Sequence, residues 1–153
     1  MIGETVTVIG TGVDDTTTVY DDREVDEYGD INITSEDPHE HNFVRKARIG
    51  LRYTYILKPM RMDILTQSGT TKGSVKRFAE VVISFFKTLG AKYGKDTDNL
   101  HTISDFGSTL YTGDVVVTTD GGFGTEDDFV ISGDEPLPCV VRAIIPRVKK
   151  TGR

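Results

Sequence analysis

Turn-forming residues recur at short intervals along this chain, and they constrain its fold more than any other feature. They fall at Gly10-Thr11-Gly12, Asp21-Asp22, Gly29-Asp30, Gly69, Gly90, Gly94, Gly113-Asp114, Gly121-Gly122 and Gly133-Asp134. The runs between them are rich in Val and Thr, and short runs with this punctuation are the pattern of a β-sheet protein. Strands do not alternate with helical segments, which argues against a parallel doubly wound sheet. The expected class is all-β: an antiparallel sandwich or barrel-like domain with a small N-terminal β module.

Segment by segment, Thr5 to Ile9 alternates apolar and polar residues. Thr16 to Tyr20 reads as a second strand and Asp30 to Thr34 as a third. Residues 35–41, SEDPHEH, are charged and broken by proline, so they read as a linker. The expected division is therefore 1–42, a small acidic β module with its linker, and 43–153, the main antiparallel β domain. From Phe43 to Leu57 the odd positions from Ala47 onward are apolar, which predicts a long strand with those side chains on a buried face. Pro59 then removes a ladder donor.

Arg77 to Leu89 is ambiguous. Phe78, Val81, Val82, Phe85, Phe86 and Leu89 fit one face of a helix, whereas Ala79, Val81, Ile83 and Phe85 fit one face of a strand. The β-branched and aromatic composition VVISFF suits a pleated surface. Ser74 as an N-cap has no acidic residue in the first turn behind it. A strand burying Val81, Ile83 and Phe85 is predicted. Later strands are expected at Val115–Thr119, Asp128–Ser132 and Cys139–Arg147, the last ending near Pro146.

A length of 153 residues allows one domain, or one with a small appendage, and a core that needs no staples. The single cysteine, Cys139, excludes an internal disulfide and a four-thiolate metal site, and its apolar neighbours suggest a small buried hydrophobe. No apolar run is long enough to span a membrane as a helix, and MIGETVTV lacks the layout of a signal peptide. A soluble protein made in a cytoplasm is expected.

Charge follows the sequence unevenly. Residues 1–42 carry twelve acidic side chains and one basic, residues 43–100 twelve basic and four acidic, and residues 101–153 five basic and eight acidic. An acidic module of this kind can face a basic surface on the same chain or on a neighbour. Specific nucleic-acid binding is not expected, because the cations are spaced singly and the whole chain is acidic.

Each candidate for chemistry lacks a necessary partner. Gly10-Thr11-Gly12 has no third glycine and no helix behind it to receive a phosphate, so it reads as a turn. His39 and His41, with Asp37 and Glu40, have no further histidine or cysteine nearby to complete a zinc site. Asp120 to Asp128 resembles one copy of a calcium-binding nonapeptide, a site that needs stacked copies. Ser68, Ser74, Ser84, Ser104, Ser108 and Ser132 lie outside any Gly-x-Ser-x-Gly elbow. Catalytic, cofactor-binding and metal-ligating residues are accordingly expected to be absent, and the chain is not expected to be an enzyme.

Ala47 to Gly94 contains an ordered series of motifs. It runs from Gly50-Leu51-x-Tyr53 through Lys58-Pro59-Met60-Arg61 to Gly69-Thr70-Thr71-Lys72-Gly73-Ser74. The pair Lys76-Arg77, a long apolar run and Thr88-Leu89-Gly90-Ala91-Lys92-Tyr93-Gly94 follow. This series resembles the C-terminal region of the tail nozzle (tail tubular or stabilisation) proteins of short-tailed bacteriophages. The resemblance extends weakly to Tyr111-Thr112-Gly113-Asp114, Gly121 to Gly124 and Glu135-Pro136-Leu137-Pro138. Where that family usually has proline or phenylalanine after Gly-Leu, this chain has Arg52.

The resemblance implies a strand over the apolar run and a structural virion component without cofactors, in the tail of a phage or prophage. It further implies a ring with copies of itself around the DNA exit channel, between an adaptor and a fibre or needle, with DNA passing unbound. Two other readings stand beside it. One is a β-sandwich binding module recognising carbohydrate or a receptor through exposed Tyr28, Tyr111 and Phe123. The other is a hydrolase whose carboxylates converge only in the fold.

Overall fold

The first hairpin forms where β-branched residues begin to alternate. The structure, a computed structural model, describes residues 2–33, 44–60, 65–66, 69–70, 72–73, 75–119, 122–124 and 128–150. Strands β1 (Thr5–Thr11) and β2 (Thr17–Glu24) pair antiparallel, and β3 (Lys46–Gly50) pairs with the other side of β1. Between β1 and β2 the Asp14 carboxylate accepts hydrogen bonds from the Thr16 backbone N–H (3.2 Å) and hydroxyl (2.6 Å). Aspartate favours such turns because it reaches the backbone two residues on. Gly10 lies close beneath the Tyr20 ring and Val44, each 3.0 Å from where a Cβ would sit. Val6, Val8, Tyr20 and Val25 make the first core, with Ile31, Ile33 and Val44 packed on it.

The remaining strands are β4 (Tyr55–Leu57), β5 (Leu65–Thr66), β6 (Gly69–Thr70), β7 (Lys76–Thr88), β8 (Lys92–Gly94), β9 (Leu100–Thr102), β10 (Tyr111–Thr118), β11 (Val130–Gly133) and β12 (Val141–Lys150). They form a β10-β7-β12 sheet, a β4-β11-β8-β9 sheet and the small β5-β6 hairpin, all antiparallel. The two larger sheets share the second core. Phe78, Val81, Ile83, Phe85, Val115 and Val117 enter from one sheet, and Ala91, Ile103, Phe129 and Ile131 from the other side. No helix occurs among the described residues, and the barrel does not close. The protein is all-β, a layered antiparallel sandwich with a smaller sheet beside it.

The expected strand over Arg77–Leu89 is β7, and Val81, Ile83 and Phe85 on it are fully buried at 0% exposure. Near its end Lys87 takes a positive φ of 46°, and the ladder to β10 shifts register between Tyr111 and Gly113. The irregularity is held by side chains. Thr112 Oγ1 accepts the Lys87 N–H at 3.0 Å, and buried Thr88 Oγ1 accepts the Val140 N–H at 3.0 Å.

Four expectations need correction. The long strand from Phe43 to Leu57 is broken at Leu51–Thr54, and of its odd positions Ile49, Leu51 and Tyr53 are 54%, 55% and 60% exposed. Alternation shows that two faces differ; it cannot show that anything covers the apolar one, and β3 and β4 are both outer strands. Residues 46–50, expected to open the 43–153 domain, instead complete the sheet of the first module, so the chain leaves that sheet after Gly50. Asp30–Thr34 is not a third strand in its described part, where only a Val25–Ile31 bridge forms. Asp26 folds a tight turn there by accepting the N–H groups of Tyr28 (2.9 Å) and Asp30 (2.7 Å), and Gly29 adopts φ 88°. Finally, β12 passes through Pro146 rather than ending near it, which is tolerated because β12 is an outer strand. The linker at 35–41 lies outside the described residues.

Candidate functional site

An open concavity lies over the β8–β9 hairpin. Gly94 ends β8 where the Asn99 carbonyl occupies the space a Cβ would need, so the backbone can double back only at glycine. The loop winds around Asp96, which accepts hydrogen bonds from the N–H groups of Asp98 (3.1 Å) and Asn99 (2.9 Å) and from Asn99 Nδ2 (2.7 Å). The Asn99 side-chain bond is the main reason the Asp96 carboxyl is held below its usual pKa. Tyr93 and His101 stand side by side across the hairpin, ring centroids 5.6 Å apart and tilted by 39°. With Lys95, Asp98, Asn99, Leu100 and Thr119 they line an open groove of about 510 Å³. Aromatic faces beside amide and carboxylate groups suit a polar ring or an extended peptide. They supply neither a nucleophile paired with a base nor two carboxylates driven apart in pKa.

A second cluster joins the two halves of the molecule. Arg52, in the crossover, donates from Nε to the Asp134 carbonyl at 2.9 Å, and its guanidinium lies 3.9 Å from Asp22 and 4.0 Å from the Asp134 carboxylate. Lys92 Nζ reaches the same carboxylate at 2.8 Å and is the main cause of its lowered pKa. Nearby, the Tyr55 hydroxyl donates to the Gly90 carbonyl at 3.2 Å, and burial raises the pKa of both that hydroxyl and the Cys139 thiol. Cys139 packs against the second core, and a thiol raised in this way is a poor nucleophile at neutral pH.

The third feature is an apolar crevice of about 200 Å³ between Pro59, Met60, Phe78, Phe129, Ile144 and Pro146. The turn that borders it is tied down by Lys58, whose Nζ lies 3.0 Å from Asp128.

The residues weighed as chemical candidates are scattered. Gly10 continues β1, and Gly12 opens the hairpin to β2 with no helix behind it, so this segment is a turn. Asp128 faces Lys58, and Phe123 lies beneath Arg77, 5.4 Å from its guanidinium carbon. Asp120, Glu126 and Asp127 lie outside the described residues, as do Asp37, His39, Glu40, His41, Ser68 and Ser74. Among the described residues no three or more His, Cys, Asp or Glu side chains come together to hold a metal. Buried Ser132 donates to the Tyr55 carbonyl at 2.9 Å, which is a packing role. Of the three aromatics considered for recognition, Tyr28 is 82% exposed, Phe123 is half exposed and Tyr111 packs edge-on against Phe106.

Neither the Tyr93–His101 groove nor the Arg52 junction is legible as a site in the sequence. The one available signal is the Gly94-x-Asp96-x-Asp98-Asn99 loop, a side-chain-capped hairpin that pairs its flanking aromatics. No family model matches this chain, and no curated protein matches it.

Proposed function

We propose that this chain is a structural component of a short-tailed phage or prophage tail: a subunit, or part of a subunit, of the nozzle that forms the DNA exit channel. The observation that carries the reading is the ordered motif series from Gly50 to Gly94. Its support from the fold is coarser: an antiparallel scaffold whose longest strand, β7, carries the apolar run of that series. On this reading the partners are other tail proteins (an adaptor, and a fibre or needle) and further copies of the chain. Particles purified from cells carrying the gene test it, by mass spectrometry and by antibody labelling in negative stain. The chain is expected at the tail vertex. Its absence from purified, DNA-filled particles would overturn the reading.

One observation favours a second reading, a β-sandwich module that recognises carbohydrate or a receptor. Exposed His101 and half-buried Tyr93 border a groove beside Asp98 and Asn99, an arrangement that offers an aromatic face and hydrogen-bonding groups together. A glycan array probed with the purified chain separates the two readings, because a nozzle part has no reason to select a sugar.

A further inference from the structure

We propose that copies of this chain join edge to edge through the first sheet, β3 of one copy pairing with β2 of the next. Both strands are outer strands of that sheet, and Lys46 to Ile49 are exposed along β3. Their charges are opposite, and the register places them on one face. Arg48 lies opposite Ile9 and Lys46 opposite Thr11, while Glu24 lies opposite Thr5, and Asp21 accepts a hydrogen bond from Thr7 at 3.3 Å. The only cation of β2, Arg23, is turned to the other face over the Tyr20 ring. Among the described residues Lys46, Arg48 and Glu24 have no charged partner.

These charges decide which edges can meet. Two β2 edges would set carboxylate against carboxylate, and two β3 edges cation against cation, so the two-fold pairings are opposed. The mixed pairing is not opposed, and it is heterologous: each copy keeps one edge open for another. Both strands run antiparallel to β1, so a copy that continues the sheet pairs its strand in parallel. In the register that prolongs the ladder, Arg48 stands beside Val19 of the neighbour and diagonal to Asp21, within reach of a long side chain. A two-residue stagger places Arg48 directly beside Asp21 without changing faces. The irregularity at Asp22 (φ 50°) and the Thr17 N–H bond to the Ser108 carbonyl limit the hydrogen-bonding edge to Thr18–Asp21, which fits the short β3, and Glu24 beyond it contributes charge alone. These two strand edges suffice for the pairing, whatever the chain's place in a tail.

Sedimentation velocity on the purified chain tests it. Weak association is expected below ~1 mM at low salt, and it should become weaker as salt screens the edges. Lys46→Glu/Arg48→Glu and Asp21→Lys/Glu24→Lys, checked for folding by circular dichroism, should each be monomeric alone. Mixed in equal amounts they should associate again, because an acidic β3 then meets a basic β2. Variants that associate like the wild type, a mixture that stays monomeric, or a wild type that is monomeric to ~1 mM would overturn the proposal. Should the loss of Asp21 unfold the sheet, Val19→Cys/Arg48→Cys in a Cys139→Ser background replaces that pair. The two positions flank β1 within one copy, about 9–10 Å apart, too far to bridge internally. Mild oxidation should then give a ladder of linked chains, and monomers alone would overturn the proposal.

Discussion

Phe85 and Thr88 show how differently two buried side chains of one strand stabilise this protein. Phe85 is fully buried and sets its ring edge-on to Phe106 with centroids 5.1 Å apart. Phe85→Ala should lose about 3–5 kcal/mol, the transfer term plus a cavity term. Thr88 is equally buried, but its hydroxyl matters as an acceptor for the Val140 N–H. Thr88→Val keeps the shape and leaves that N–H without a partner, a cost of about 1–3 kcal/mol. Urea unfolding of both variants checks the two figures. Asp134 adds a pH dependence. Its folded carboxyl titrates below its ordinary value because Lys92 and then Arg52 face it, so the unfolded state takes up the proton first. The stabilisation is therefore complete above pH ~4 and is lost as pH falls through the folded-state value. Because the pair is partly exposed, the effect is small, below about 1 kcal/mol. The stability difference between the wild type and Asp134→Asn should narrow as pH falls below about 4.

At the scale of elements, β7 was legible because its composition and one of its two periodicities agreed. Helical spacing, through Phe78, Val82 and Phe86, fitted slightly better, and β-branching at Val81, Val82 and Ile83 pointed to the state that formed. Position 82 shows why periodicity misled. Val82 is half-buried on the outer face between Val116 and Ile145, so the sheet has apolar residues on both sides and no clean alternation. The β3–β4 region failed for the opposite reason: its alternation is perfect, yet its apolar face is largely uncovered. Gly94 was legible only as a turn residue, since the carbonyl pressing on it comes from five residues further on. Gly94→Ala should force the Asn99 carbonyl aside, with an overpacking cost of about 1–3 kcal/mol. Amide shifts in a heteronuclear NMR spectrum should centre on residues 92–102 and leave β1 and β2 unmoved.

For the molecule as a whole, stability is divided between two cores that meet through polar contacts: the Arg52 cluster and the Thr17–Ser108 backbone bond. The first core is the smaller and has fewer buried side chains to hold it. Arg52→Ala should therefore quicken amide hydrogen exchange at Val6 to Ile9 while leaving Val81 to Phe85 protected. Equal acceleration in both regions would mean that the two cores unfold as one unit. The sequence marked two halves through their charges but misplaced the boundary, because nothing local tells a strand which sheet it will join.

The crossover at Leu51–Thr54 has a consequence of another kind. Among the described residues, everything up to Gly50 belongs to the first sheet and its core, and everything from Tyr55 onward to the others. Within the described residues the backbone therefore passes between the two cores at one point, through four residues outside any strand. A gene can be cut and rejoined there without dividing a sheet. Exchange at that point would give related proteins a different first sheet on an unchanged sandwich, with Arg52, its acidic partners and the Thr17–Ser108 bond left to be matched.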